Sequence, residues 1–178
     1  MSLVDIPIIK YENGKTTNIY DAVAQEEPLE ILINDQPCHI TMRLPGEEIP
    51  LILGFLFTEG VIGSIEEVLT LSHCNDVSGN RMNVHLKTST DKDLEKFISR
   101  KSSSFTHCGT CGKDMVTNLS QSHSKIPKTV NITFPQLAEF QSKLIKGQQT
   151  FQHTGGTHAA GIFDRYGTLL ALSEDIGR

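Results

Sequence analysis

The chain has 178 residues, a formal net charge of −5 and four cysteines. That length suits one large domain or two small ones, with enough apolar residues for a real core. The acidic balance excludes a general nucleic-acid binder, no apolar run is long enough for a transmembrane helix, and the start Met1-Ser2-Leu3-Val4-Asp5 lacks a signal peptide's basic and apolar regions, so a cytoplasmic protein is expected.

Along the chain, Ile6 to Tyr11 forms a short apolar segment closed by the turn signal Asn13-Gly14. Thr17 to Val23 follows as a strand. Leu29 to Ile33 and Cys38 to Met42 flank Asn34-Asp35 and predict a hairpin. Met42 and Arg43 beside Pro45-Gly46 suggest a surface turn. Glu47 and Glu48 suit a first helical turn, and Ile49, Ile52, Leu53, Leu56 and Phe57 recur at helical spacing, with Gly60 ending the helix near Glu59. Arg81 to Leu86 alternates as a strand does. Thr90 with Asp93 opens a short helix reaching about Ser99, and Lys101 to Ser104 forms a polar linker. Gln121 to Lys128 reads as a loop. Phe134-Pro135 begins a second helix with Leu137, Phe140, Leu144 and Ile145 on one side and Gly147 at its end. His158 to Phe163 and Thr168 to Leu172 are strands around the turn Asp164 to Gly167. The pattern divides into a β-rich part, 1–100, and a mixed α/β part, 101–178. The end of the chain is abrupt: Ser173 to Arg178 follows directly on the apolar run Leu169 to Leu172, as expected of a piece of a longer protein.

The linker leads to Thr106-His107-Cys108-Gly109-Thr110-Cys111-Gly112-Lys113. Two thiols one helical turn apart suit sulfur transfer, redox chemistry or metal binding, because the thiolate is both nucleophile and soft ligand. The glycines suit a loop feeding a helix N-terminus, whose amides lower a thiolate pKa, and Lys113 and His107 add cationic partners. Structural zinc needs four protein ligands, and no second close cysteine pair is present. A thioredoxin-like pair lies after an early strand, whereas this one follows a β-rich region. A sulfur carrier fits the pair better, with ordinary loop cysteines and half of a zinc site as the plainer alternatives.

Two further clusters stand out. In His153-Thr154-Gly155-Gly156-Thr157-His158-Ala159-Ala160 the adjacent glycines permit a tight turn. It reads as a simple strand entry, as a pocket for an anionic or heteroaromatic ligand, or as a wall beside the cysteine loop. A valine at Gly156 is expected to distort the backbone and harm that ligand's binding. Glu174-Asp175-Ile176-Gly177-Arg178 reads either as a solvated edge or as a ligand site at a strand's carboxyl end, with Arg178 suited to phosphate. His39, His73, His85 and His123 have no metal-ligand spacing and are expected to be structural.

These clusters, with Glu27-Pro28-Leu29 to Asn34 and Gly54-Phe55-Leu56-Phe57-Thr58-Glu59-Gly60-Val61-Ile62, occur in one order. In that order the chain resembles the FdhD/NarQ family of formate dehydrogenase accessory proteins, which are sulfur carriers. The matching motifs are C-G-x-C-G at Cys108 to Gly112, T-G-x-T-H-A-A at Thr154 to Ala160, and E-D-[VI]-G-R at Glu174 to Arg178. The family pattern continues past this last motif, so the chain is expected to lack a C-terminal remainder that contributes to nucleotide binding.

The resemblance implies an α+β protein: a β-rich N-terminal subdomain, 1–100, and the first part of a cytidine deaminase-like three-layer α/β/α domain, 101–178, without a catalytic zinc signature. It implies a sulfurtransferase-like carrier with Cys108 as persulfide site and Cys111 as helper or second carrier. Sulfur would come from a cysteine desulfurase and pass to the molybdenum or tungsten bis-molybdopterin guanine dinucleotide (bis-MGD) cofactor of formate dehydrogenase. That cofactor is expected as a transient ligand of Gly155, Gly156, Thr157, His158, Glu174, Asp175 and Arg178. No metal ligands are implied, and a homodimer is expected of the full-length protein. The other readings are a zinc-binding or structural adaptor docking to formate dehydrogenase, and a dithiol redox protein.

Overall fold

A computed structural model describes residues 3–74, 79–87 and 130–177. Residues 3–25 with 130–177 form one compact unit, and residues 26–74 with 79–87 form another. A boundary near residue 100 lies outside the described residues. Within them, the first hairpin groups with the C-terminal residues and not with the rest of the β-rich part. The protein is α+β. No helix among the described residues is long and apolar enough to cross a membrane.

The second unit starts with β3 (Glu27–Ile33) and β4 (Gln36–Arg43), an antiparallel pair. Asn34 and Asp35 turn it with φ of 50° and 66°, a left-handed pair that suits the twist of a two-residue hairpin. Helix α1 (Glu48–Thr58) and a 3-10 turn at Ile65–Glu67 lead to β5 (Val68–His73) and β6 (Arg81–Leu86). The sheet order is β4-β3-β6-β5, with β3 and β6 parallel at its centre. β5 and the 3-10 turn are additions to the elements expected from sequence.

Alternation puts Leu29, Ile31 and Ile33 of β3 on one face with Met82, Val84 and Leu86 of β6. Ile52 and Leu56 of α1 and Ile62 complete this core. The helix ends as expected: Glu59 caps it, and Gly60, Val61 and Ile62 donate back to its last carbonyls. His39 is structural, stacked on Phe55 of α1 at 4.7 Å between ring centres.

Arg43 corrects the expected surface turn, for it is only 3 % exposed. Its Nη2 donates to Asn80 Oδ1 at 2.8 Å and its Nη1 to Glu27 Oε2 at 3.4 Å. Nε lies 3.0 Å from Glu48 Oε1 as an ion pair, too bent to count as a hydrogen bond. One guanidinium thus ties β4 to the starts of β3, α1 and β6. Burial opposes ionisation of Glu48, but the Gly46 amide at 2.9 Å, its own amide, Arg43 and His73 more than offset it. Its carboxyl therefore sits below the ordinary value.

The first unit begins with β1 (Leu3–Glu12) and β2 (Lys15–Ala24), paired without a shift from Leu3↔Ala24 to Glu12↔Lys15. Helix α2 (Phe134–Gly147) starts at a capping box: Thr133 accepts from the Gln136 amide, and the Gln136 side chain accepts from the Thr133 amide. It buries Phe140 and leaves Leu137 and Ile145 exposed, a narrower stripe than the spacing suggested. A short helix α3 (Gln149–Thr154), absent from the sequence reading, follows and lies against β2.

The antiparallel hairpin β7 (His158–Phe163) and β8 (Leu169–Asp175) carries α2 on one face. Phe140 stacks on Phe163 at 4.8 Å, and Lys143 Nζ donates to Gly167 O at 2.6 Å. Gly161 permits the approach, since a Cβ there would lie 2.6 Å from Leu144 Cδ1. Helix α3 ends at Gly155, whose φ of 64° is left-handed and whose amide donates to Phe151 O at 2.7 Å.

Arg43→Ala removes the guanidinium that pairs with half-buried Glu27 and Glu48, and we expect a loss of about 2 kcal/mol in urea denaturation; an unchanged midpoint would show a solvated cluster. Because Glu48 is depressed in the folded state, its contribution is present above the unfolded carboxyl value and is lost as pH falls through the folded one. Glu48→Gln should therefore flatten the acid limb of stability against pH, and an identical limb would refute this assignment. Gly155→Ala should cost about 1 kcal/mol for its left-handed backbone. Gly156→Ala should cost nothing measurable, because a Cβ there meets only Thr154 at 3.7 Å and beyond; equal losses would contradict these backbone assignments.

Candidate functional site

Cys108, Cys111 and Arg178 lie outside the described residues, as do His107 and Lys113. The structure does place Gly155, Gly156, Thr157, His158, Glu174 and Asp175, and it brings them together at one end of the β7–β8 hairpin. The pairing register sets His158 opposite Asp175 and Ala159 opposite Glu174. Strand β8 runs to Asp175, so both carboxylates sit on the strand rather than after it, as the sequence suggested.

Strand alternation separates them. Ala159, Gly161 and Phe163, with Leu172 and Glu174 opposite, belong to the face that meets the helices, where Gly161 touches Leu144 and Phe163 stacks on Phe140. His158, Ala160 and Ile162, with Ser173 and Asp175, belong to the other face. His158 is exposed there, and Asp175 is half-buried, with Oδ1 accepting from the Ile176 amide at 2.8 Å.

Glu174 is engaged through both of its carboxylate oxygens. Its Oε2 accepts from the Thr150 amide at 2.9 Å, and its Oε1 from the Phe151 amide at 2.8 Å and the Thr157 hydroxyl at 2.9 Å. Thr150 and Phe151 are in the first turn of α3, where amides have no helical partner. Their neighbour Gln148, at the helix start, offers no side-chain cap. The carboxylate also complements the positive end of the helix. Thr157 is 5 % exposed, so its hydroxyl is spent on this bond.

The glycine loop is fixed from within. Thr154 Oγ1 donates to Thr150 O at 2.9 Å and accepts from the Gly156 amide at 3.1 Å. Gly155, not Gly156, carries the left-handed backbone. The backbone reason for expecting valine at Gly156 to distort the chain therefore moves to Gly155, since Gly156 has no left-handed φ and a Cβ there meets only Thr154 at 3.7 Å and beyond. Thr154 is the donor at the turn that the sequence suggested, whereas Thr150 has a role that sequence reasoning missed. The polar run Gln149 to Thr154 has no periodicity to reveal it.

Elsewhere the described cysteines, Cys38 and Cys74, are not joined in a disulfide, and His85 Nε2 accepts from Asn83 Nδ2 at 3.2 Å. Among the described residues no group of three His, Cys, Asp or Glu side chains is placed to hold a metal ion.

Comparison with known proteins gives the family and the fold. The chain is 36% identical over 168 residues to the sulfur carrier protein FdhD of Mycobacterium tuberculosis, covering 89% of this chain and 61% of that protein. It is 34% identical over 180 residues to the sulfur carrier protein FdhD of Sulfolobus acidocaldarius, covering 100% of this chain and 66% of that one. The chain thus spans less than two thirds of the length of these relatives. The crystal structure of a protein described as a formate dehydrogenase accessory protein, from Desulfotalea psychrophila, has the same fold. Its TM-score is 0.71 at 21% identity, over 100% of this chain and 64% of that one. The FdhD/NarQ family model matches residues 24–178, and the chain belongs to that family.

Proposed function

We propose that this chain is the sulfur-handling part of a carrier that matures formate dehydrogenase in the cytoplasm, with Cys108 as the persulfide site. The observation that carries this reading is family membership together with Cys108-Gly109-Thr110-Cys111-Gly112 in the matched span. The names of the relatives, as sulfur carrier proteins, support it.

In the first exchange the Cys108 thiolate attacks the terminal sulfur of a cysteine desulfurase persulfide. The donor S–S bond breaks, the donor cysteine leaves as thiolate, and no net oxidation occurs. In the second, sulfur reaches the metal of the bis-MGD cofactor, which is the substrate here. Delivery as sulfide needs two electrons. The Cys111 thiolate supplies them by attacking the inner sulfur of the Cys108 persulfide, which releases sulfide and leaves a Cys108–Cys111 disulfide for a cellular dithiol to reduce. The cofactor's nucleotide is held by the Gly155 to His158 loop and the Glu174 to Arg178 segment. The full-length protein acts as a homodimer with the cytidine deaminase-like layering of its family.

The test is incubation of the full-length protein with a cysteine desulfurase and cysteine, followed by non-reducing intact and peptide mass spectrometry. We expect one added sulfur on the Cys108 peptide, removed by reductant. Cys108→Ala should abolish it while leaving the thermal midpoint within about 2 °C, as expected when a reactive thiol is lost and the fold is kept. Stoichiometric zinc with no added sulfur would favour a metal-binding adaptor. A rapidly exchanging Cys108–Cys111 disulfide with no sulfur uptake would favour a dithiol redox protein.

A further inference from the structure

We infer that Glu174 is a positioning residue that fixes the glycine loop through α3, and does not itself contact the cofactor. This rests on the reading that the loop and the Glu174 to Arg178 segment form the cofactor site. Two observations carry it. Both carboxylate oxygens of Glu174 are taken, by the Thr150 and Phe151 amides and the Thr157 hydroxyl at 2.8–2.9 Å. Alternation also turns Glu174 toward the helices, while Asp175 and His158 share the opposite face.

The chain of bonds then runs without a break from strand to loop. Glu174 holds the first turn of α3, Thr154 in the last turn holds the Gly156 amide, and Thr157 returns to Glu174. A helix of six residues is marginal by itself, so this carboxylate, together with the packing on β2 and the Gln152 bonds to Ile145 O and Lys146 O, keeps Gly155 and Gly156 in place. Freeing it for a ligand would expose two helix amides and a buried hydroxyl together.

A direct contact would behave differently. Guanine offers a ring N–H and an exocyclic amine, two donors that a carboxylate accepts side by side. Xanthine replaces the amine by a carbonyl, which an amide side chain can match. If Glu174 read the base, Glu174→Gln would move preference from guanosine to xanthosine diphosphate. As a positioning residue it would not.

The experiment uses full-length protein, Glu174→Gln and Thr157→Val, each probed with guanosine and xanthosine diphosphate by calorimetry and by amide hydrogen exchange. A glutamine keeps one acceptor but points an N–H at a helix N–H. We expect the Thr150 and Phe151 amides of Glu174→Gln to exchange about fivefold faster, as for a lost helix cap. Guanosine diphosphate should bind several-fold more weakly with its preference over xanthosine diphosphate unchanged, and Thr157→Val should move binding in the same direction. Unaltered exchange, or a preference reversed toward xanthosine diphosphate, would overturn the inference. If the wild-type protein binds neither nucleotide, the cofactor reading fails, and with it the functional half of the inference. The exchange rates then still decide whether Glu174 holds α3.

Discussion

The carboxylate of Glu174 is the constraint on which the candidate site depends. A charged side chain on the helix-facing side of a hairpin must be satisfied or the fold carries its desolvation cost. Here three donors satisfy it, and two of them are helix amides that would otherwise lack partners. The benefit is mutual: a six-residue helix too short to stand alone gains its cap from a strand more than twenty positions away. The same alternation that aims Glu174 inward sends Asp175 and His158 to the other face. One strand period therefore divides an acidic pair that looks uniform in sequence between the two faces of the hairpin.

Much of the fold was legible because its signals are local. Asn13-Gly14 and Asn34-Asp35 both adopt the paired left-handed turn that their side chains tolerate, and both hairpins follow from them. The bounds of β7 and the opening of α2 were read correctly, and Thr133 with Gln136 held a capping-box signal that passed unused. The misses share a physical cause. β5 is an edge strand and largely exposed, so its residues need no strong apolar alternation. Helix α3 has a largely polar sequence and draws its support from Glu174, from β2 and from the bonds of Gln152 to the end of α2. Strand β8 runs past its apolar stretch to Asp175 because pairing with His158 and Ala159 extends it. In each case a tertiary partner supplies what the local pattern lacks.

The site was legible in composition and not in role. Sequence named the glycine loop and the acidic motif, and the structure sets them side by side. It could not tell which glycine bears the left-handed turn, because that follows from where α3 ends, and α3 was itself invisible. Nor could it tell Thr157, closed off against Glu174, from His158 one residue later on the open face. Adjacent residues in a strand have opposite surroundings, so a motif written as a string merges roles that the pleat separates.

Arg43 shows the same logic in the other unit. Burying a guanidinium forfeits hydration, and a pair of carboxylates returns only part of it, so an apolar substitute of equal volume can match the cluster in stability. Stability alone does not account for it. Apolar contacts among Leu29, Ile31, Ile52 and Leu56 are non-directional and leave a helix free to slide on its sheet. The planar fork of Arg43 is not so permissive: reaching Glu27, Glu48 and Asn80 together fixes the start of α1 against three chain segments at once. In both units, then, apolar burial supplies the attraction and one charged group with several polar partners supplies the register. Arg43 and Glu174 are consequently committed to the fold, and the ligand chemistry we propose falls to residues whose bonding capacity the fold has not already used.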